Sequence, residues 1–286
     1  MEMKYLLVAL SLFLNTKTYS QNTTSKSTVN SQGVTIDFTD EGKSDTTLLF
    51  VHGWCINKTY WQHQVDFFRN EYRVVTVDLA GHGLSGANRN VWSVEEFGKD
   101  ILAVINHLHL SKIILIGHSM AGDIALEVST KIPDHILGLI AIDSYTDIGK
   151  DFSEDPEAKR FFKSLREDFK KEGPTFVQTL FFERTDSANR ARVFRDFENT
   201  SPIVAIESLN ENVKYSGKQV EKLKAWGKKI YLINSDKSPV IKEGFERNKI
   251  AYNVVTINGT GHYPMIEKPD EFNSLLAQTL SQIKSD

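Results

Sequence analysis

The sequence predicts an α/β fold: a doubly wound, mostly parallel sheet with helices on both faces and a helical cap inserted over one edge. Three observations carry this. Short apolar runs rich in Val, Ile and Leu alternate with amphipathic helical stretches along most of the chain. The alternation stops between about Thr146 and Lys228, where the sequence becomes charged and helix-prone. Composition agrees, because 286 residues that are 40% hydrophobic and 25% charged can bury a large core, which excludes extended disorder and collagen. A single cysteine, Cys55, excludes an intrachain disulfide framework and a Cys-rich zinc site, and it reads as a small packing residue.

At the N-terminus, Lys4 precedes an apolar run from Tyr5 to Leu14, followed by polar Asn15 to Thr18 and small Ser20. That layout is a secretory signal peptide over residues 1–20. The run of about ten apolar residues falls well short of the roughly twenty that span a bilayer. Export to the periplasm or the extracellular space is expected, without stable membrane insertion. Residues 21–33 are Ser-, Thr-, Asn- and Gln-rich, bury too little apolar surface to offset the entropy of ordering, and read as a flexible leader.

The core is expected over 34–145 and 216–286. Thr47–Val51, Arg73–Val77, Lys112–Ile116, Leu137–Ile142, Lys229–Ile233 and Asn253–Ile257 are nearly continuous in apolar residues, as parallel strands covered on both faces require. The helix opening at Ser93 places Val94, Phe97, Ile101, Val104, Ile105 and Leu108 on one stripe, with Ser93 and Glu96 as a capping box. A helix beginning at Pro269 carries Asp270 and Glu271 in its first turn and buries Phe272, Leu275, Leu276, Leu280 and Ile283. Residues 146–215 are too long for a plain connection and read as the cap. Its phenylalanines, from Phe152 to Phe197, are expected to form the cap's own core, with some free to line a substrate channel.

The chemistry concentrates at turns that follow strands. Ile113 to Gly122 reads IILIGHSMAG: a strand runs into Gly117-His118-Ser119-Met120-Ala121-Gly122 and then into a helical stretch from Asp123 to Lys131. This is a nucleophile-elbow arrangement, in which small residues flank a sharply turned serine; here Ala121 stands where the second glycine is usual. Ser119 is the candidate nucleophile. A hydroxyl needs a base, and His262, in the glycine-containing turn Asn258-Gly-Thr-Gly-His before the last helix, is the candidate. An oxyanion needs donors, and the backbone N–H groups of Trp54, after Phe50-Val51-His52-Gly53, and of Met120 are placed to supply them. His52 is expected to order its loop rather than react.

At these residues the chain resembles the α/β-hydrolase superfamily over about Val34 to Ile283. The resemblance rests on His52-Gly53-Trp54, Asp78-x-x-Gly81-x-Gly83-x-Ser85 after a strand, the serine elbow, and Gly261-His262-Tyr263-Pro264-Met265. It implies a doubly wound sheet, a helical cap at about 146–215 and a serine hydrolase that uses no cofactor, with its acid between nucleophile and histidine in the chain. In most relatives that acid follows the penultimate strand, but here the stretch reads Asn234-Ser235-Asp236-Lys237-Ser238-Pro239, and the expected position aligns with Ser238. Asp143, at the end of Leu139-Ile140-Ala141-Ile142, is the first choice for the acid and Asp236 the second.

Other chemistries are disfavoured. The net charge of −3 gives no basic field for nucleic acid. No His-Glu-x-x-His string occurs, and His107 and His109 lie two apart in a helical stretch, so no metal site is expected. Gly81-His-Gly83-Leu-Ser-Gly86 matches a dinucleotide fingerprint as text, but no helix follows it to receive a pyrophosphate. The reading is a carboxylesterase-like serine hydrolase acting on a small-molecule acyl substrate. C–C bond or lactone hydrolysis on the same residues stays open, as does a non-catalytic ligand-binding or receptor protein on this fold.

Overall fold

The structure, a computed structural model, describes residues 27–285. The expected signal peptide and residues 21–26 of the leader lie outside the described residues. Eight strands are present: β1 (Ser27–Ser31), β2 (Val34–Glu41), β3 (Thr47–Val51), β4 (Arg73–Val77), β5 (Ile113–His118), β6 (Ile136–Ile142), β7 (Ile230–Ser235) and β8 (Tyr252–Ile257). They form one sheet in the order β1-β2-β4-β3-β5-β6-β7-β8. The helices are α1 (Gln62–Phe68), α2 (Val94–His107), α3 (Ala121–Lys131), α4 (Pro156–Glu167), α5 (Phe169–Thr179), α6 (Ser187–Asn199), α7 (Pro202–Tyr215), α8 (Gln219–Trp226), α9 (Lys242–Asn248), α10 (Pro264–Glu267) and α11 (Pro269–Ser285).

From β4 to β8 all neighbours are parallel, whereas β1 pairs antiparallel with β2 and β2 with β4. The six strands expected from apolar runs are all there. Residues 27–33 correct the flexible-leader expectation: β1 is ordered by pairing with β2, from Ser27 opposite Phe38 to Ser31 opposite Val34. Gln32 and Gly33 close this hairpin with φ of 51° and 86°, the two positive values that a tight two-residue turn matched to strand twist requires. A strand of Ser, Thr, Val and Asn on a half-exposed edge offers no apolar run to detect.

Helices α2, α3 and α8 pack on one another on one side of the sheet, and α1, α10 and α11 do so on the other. The Ser93 hydroxyl accepts from the Glu96 N–H at 3.2 Å to cap α2, but the Glu96 carboxylate accepts from Lys99 and Gln32 instead of reaching back, so half of the expected capping box forms; Pro269 opens α11 as expected. Between β6 and α8 the expected cap is wholly helical, α4 to α7 with a short turn at Phe152–Glu154. Phe162, Phe181 and Phe197 are buried within it, Phe169 stacks on Phe197 at 5.0 Å, and Gly173 leaves room for the Phe197 ring. No helix among the described residues is long and apolar enough to cross a membrane.

Parallel pairing brings the strand ends to one edge: Val51 pairs with Gly117, His118 with Ile142, and Ser235 with Ile257. The loops after β3, β5, β6, β7 and β8 therefore share the carboxyl edge, where open α/β sheets bind ligands. Beside them, the Asp78 motif forms a buried polar hub. Asp78 accepts from the Lys58 ammonium at 2.6 Å and from the N–H groups of Lys58 at 2.7 Å and Leu84 at 2.9 Å, while Lys58 also pairs with Asp37. A side chain at Gly83 would overlap the Asp78 carboxylate, and the Ser85 hydroxyl donates to the Asp78 carbonyl at 2.7 Å.

Candidate active site

Ser119 stands between β5 and α3 with φ of 56°, a left-handed conformation that costs a residue with a Cβ on the order of 1–3 kcal/mol. Its surroundings fix it there. The Ser119 N–H donates to the Ile142 carbonyl at 2.8 Å, and the Ser119 carbonyl accepts from the Gly122 N–H at 2.9 Å and the Ser144 hydroxyl at 3.0 Å. A Cβ at Gly117 would lie 2.2 Å from the Ala121 carbonyl oxygen, so the glycine before the serine is a steric necessity. At Gly122 a Cβ would lie 2.6 Å from the Ser144 hydroxyl, which places the second glycine requirement one residue beyond Ala121.

The loop after β3 packs directly on this elbow, since a Cβ at Gly53 would come within 2.5 Å of the His118 ring. His52 is consumed in ordering it. Its Nδ1–H donates to the Gly53 carbonyl at 2.8 Å and its Nε2 accepts from the Leu79 N–H at 2.9 Å, and burial drives its pKa well down, so it is neutral. Among the described residues the backbone N–H groups of Trp54 and Met120 donate to no protein acceptor. The Trp54 indole lies beneath the cap, donating to the Ala205 carbonyl at 2.7 Å and packing on Phe176 and Phe197.

His262 lies in the loop between β8 and α10. Its Nδ1 is 2.5 Å from Asp143 Oδ2. With Nδ1–H donating to the carboxylate, the neutral ring leaves Nε2 as an acceptor. Asp143 has φ of 47° at the end of β6, its N–H donates to the Ile233 carbonyl at 3.0 Å, and its Oδ1 accepts from the Ser235 N–H at 2.7 Å. Burial alone would raise its pKa, but the hydrogen bond and charge of His262 and the donors of Ser235 outweigh that and hold it below the ordinary carboxylate value. Asp236 is elsewhere: its Oδ1 accepts from the Gly259 N–H at 2.8 Å and ties two loops together. The carboxylate that meets His262 is Asp143.

A cavity of about 280 Å³ is lined by Ser119, Met120, Asp143 and His262, with Phe152, Leu180 and Ser238. Trp54 is not in its wall. Ser238, at the position where the acid is usual, thus reaches the same cavity as Asp143. Of the cap's phenylalanines only Phe152 lines it; Phe176 and Phe197 pack down on Trp54 and Phe181 on Tyr263, so much of the cap's aromatic core seats the cap on the sheet domain rather than closing on itself.

Three further residues brace the histidine. His118 is buried, its Nε2–H donates to the His262 carbonyl at 2.7 Å, and burial followed by its nearness to His262 pushes its pKa down to about 3. The Glu267 carboxylate accepts from the N–H groups of Gly261 at 2.9 Å and Tyr263 at 3.1 Å and from the Thr185 hydroxyl at 2.9 Å. Leu180, in the cap, accepts from the His262 N–H at 2.8 Å. Sequence reading passed over all three. His118 is adjacent to Ser119 and Glu267 five residues after His262, but neither spacing announces a contact with the histidine loop. Among the described residues no group of His, Cys, Asp and Glu could hold a metal ion.

The sheet, the elbow after β5 and the histidine loop after β8 together define an α/β-hydrolase architecture. The chain matches the model of the alpha/beta hydrolase fold family over residues 46–269 and belongs to that family. It is 28% identical over 242 residues to a Haemophilus influenzae protein that carries an esterase/lipase name, covering 78% of this chain and 79% of that one. It is 21% identical over 243 residues to the karrikin insensitive 2 receptor CA of Petunia hybrida, covering 80% and 89%. Its fold is that of an esterase from Thermogutta terrifontis solved with malate bound, at a TM-score of 0.76 and 22% identity over 90% of this chain and 98% of that one.

Proposed function

We propose that the protein is a serine hydrolase that cleaves a carboxylic ester of a small or medium-sized molecule through an acyl-enzyme. Ser119 Oγ attacks the ester carbonyl as His262 Nε2 takes its proton, and Asp143 stabilises the imidazolium that forms. The N–H groups of Trp54 and Met120 hold the oxyanion. His262 then returns the proton to the leaving alcohol, and a water molecule, deprotonated by the same ring, releases the acid. The observation that carries this reading is the 2.5 Å contact between His262 Nδ1 and Asp143, with Ser119 and His262 in the wall of one cavity.

A fluorophosphonate probe is expected to label Ser119 in the folded protein, and Ser119→Ala to abolish both labelling and hydrolysis of p-nitrophenyl acetate. The competing reading, a ligand-binding protein on the same fold, is motivated by the receptor relative. It requires an intact protein that neither labels nor turns over short acyl esters. The signal-like segment at residues 1–20 further supports export: protein from its native host should begin near Gln21, and an intact Met1 would overturn that part.

A further inference from the structure

The cavity that holds Ser119 has a second polar feature, which the reaction above leaves unused. Asp123, in the first turn of α3, lines it together with Asn212, Gln219 and Tyr145. The Asp123 residue is 3% exposed. Its Oδ2 accepts from the Asn212 amide at 2.8 Å, and both its oxygens accept from the Gln219 amide, at 3.0 and 3.1 Å. These are neutral donors. The nearby ammonium groups are engaged elsewhere, Lys222 on Glu127 at 2.6 Å and Lys218 on Glu95 at 2.8 Å. The buried Tyr145 hydroxyl faces the same carboxylate and adds a third neutral partner to the two amides.

The acidic side chains in the cavity wall, those of Asp123, Asp143 and Asp147, meet no basic one from lysine or arginine there. Asp143 is committed to His262, so Asp123 is the buried carboxylate without a positive partner. A desolvated charge of this kind is costly unless something neutralises it. Its burial, which dominates over the amide hydrogen bonds, raises its pKa to about 7.

On the reading that Ser119 is the nucleophile, we infer that Asp123 selects substrates: the site takes carboxylic esters that carry a primary ammonium a few atoms from the scissile carbonyl, and it discriminates against anionic ones. Asp123 and Ser119 line one cavity, so a substrate held at the serine meets the carboxylate across a short chain. The ammonium would donate to the carboxylate, with Tyr145 as a further partner.

The test is a series of ethyl esters that differ at one terminus: ethyl 4-aminobutanoate, ethyl pentanoate and monoethyl glutarate, followed by acid release in a pH-stat. The expected order of kcat/KM is ammonium over methyl over carboxylate, with about tenfold or more between the first two, as a charge-assisted hydrogen bond supplies. In Asp123→Asn the ammonium-to-methyl ratio should fall to within about threefold of unity. Ethyl pentanoate cleaved as well as or better than ethyl 4-aminobutanoate by the wild-type protein overturns the inference, whether or not the variant folds. If no ester is cleaved and the phosphonate leaves Ser119 unlabelled, the hydrolase reading itself fails and this inference with it.

Discussion

Asp143 and Asp123 reach the same cavity, each about 3% exposed, yet they sit in opposite electrostatic situations. Asp143, after β6, has an imidazole and a backbone N–H as partners, and its pKa is held down. Asp123, on α3, has two side-chain amides and the Tyr145 hydroxyl but no cation, and burial drives its pKa up to about 7. Equal burial therefore does not produce equal charge. The penalty of leaving water is similar for both, and the partner decides which protonation state survives. Asp78 extends the contrast at the hub beside the site, where a buried lysine supplies the countercharge from within the fold.

The largest expected effect comes from breaking the Asp143 side of the comparison. Asp143→Asn should lower turnover of p-nitrophenyl acetate by roughly ten-thousandfold, because the amide favours the wrong tautomer of His262. Asp236→Asn should change it by less than about threefold, since its contact is with Gly259; a reversal of these two results would move the acid to Asp236. Next in size is Lys58→Met, which strands Asp37 and Asp78 as buried charges without a cation. Urea denaturation should show a loss of about 3–5 kcal/mol, and a loss within error would show that the hub carries no net stability.

Asp123 gives an effect of opposite sign. Its pKa in the folded protein lies above the ordinary 3.8, so its contribution to stability is fully present below about pH 4 and is lost as pH rises through about 7. The groups packed around it are Tyr145, Asn212, Tyr215 and Gln219, with Glu127 one turn further along α3 and paired with Lys222. Asp123→Asn removes the charge, so the variant should be more stable than the wild type at pH 8, by up to about 4 kcal/mol, with the gap closing toward pH 4. Thermal melts across that range measure it, and a variant less stable at pH 8 would mean that the carboxylate is better satisfied than its neutral partners Asn212, Gln219 and Tyr145 suggest. The smallest effect is expected at Glu267→Gln, where an amide replaces an acceptor of three hydrogen bonds: a loss of about 1–3 kcal/mol in stability. If kcat on p-nitrophenyl acetate falls as well, Glu267 also sets the position of His262.

Much of the fold was legible because its central strands are buried on both faces, which turns them into apolar runs such as Thr47–Val51. The β1–β2 hairpin was not, since Ser27–Ser31 is stabilised by a partner strand rather than by its own composition. That Ser119 and His262 would meet at one cavity could be anticipated because the elbow and the glycine-containing turn are local patterns. Asp143 could be offered because a strand ended directly on an acid, but its separation from Asp236 required the register that brings Ser235 and Ile142 to one edge. Nothing local sets Asp123 apart at the head of its helical stretch. Its situation depends on Asn212 and Gln219, which the chain delivers about ninety residues later.

The contact between the His262 N–H and the Leu180 carbonyl joins the histidine loop to the roof above it. Swinging the α5 end of that roof outward would pull on the loop that carries His262. On the proposed reaction, a chimaera that borrows another protein's roof would need an equivalent carbonyl at that point to keep His262 aligned.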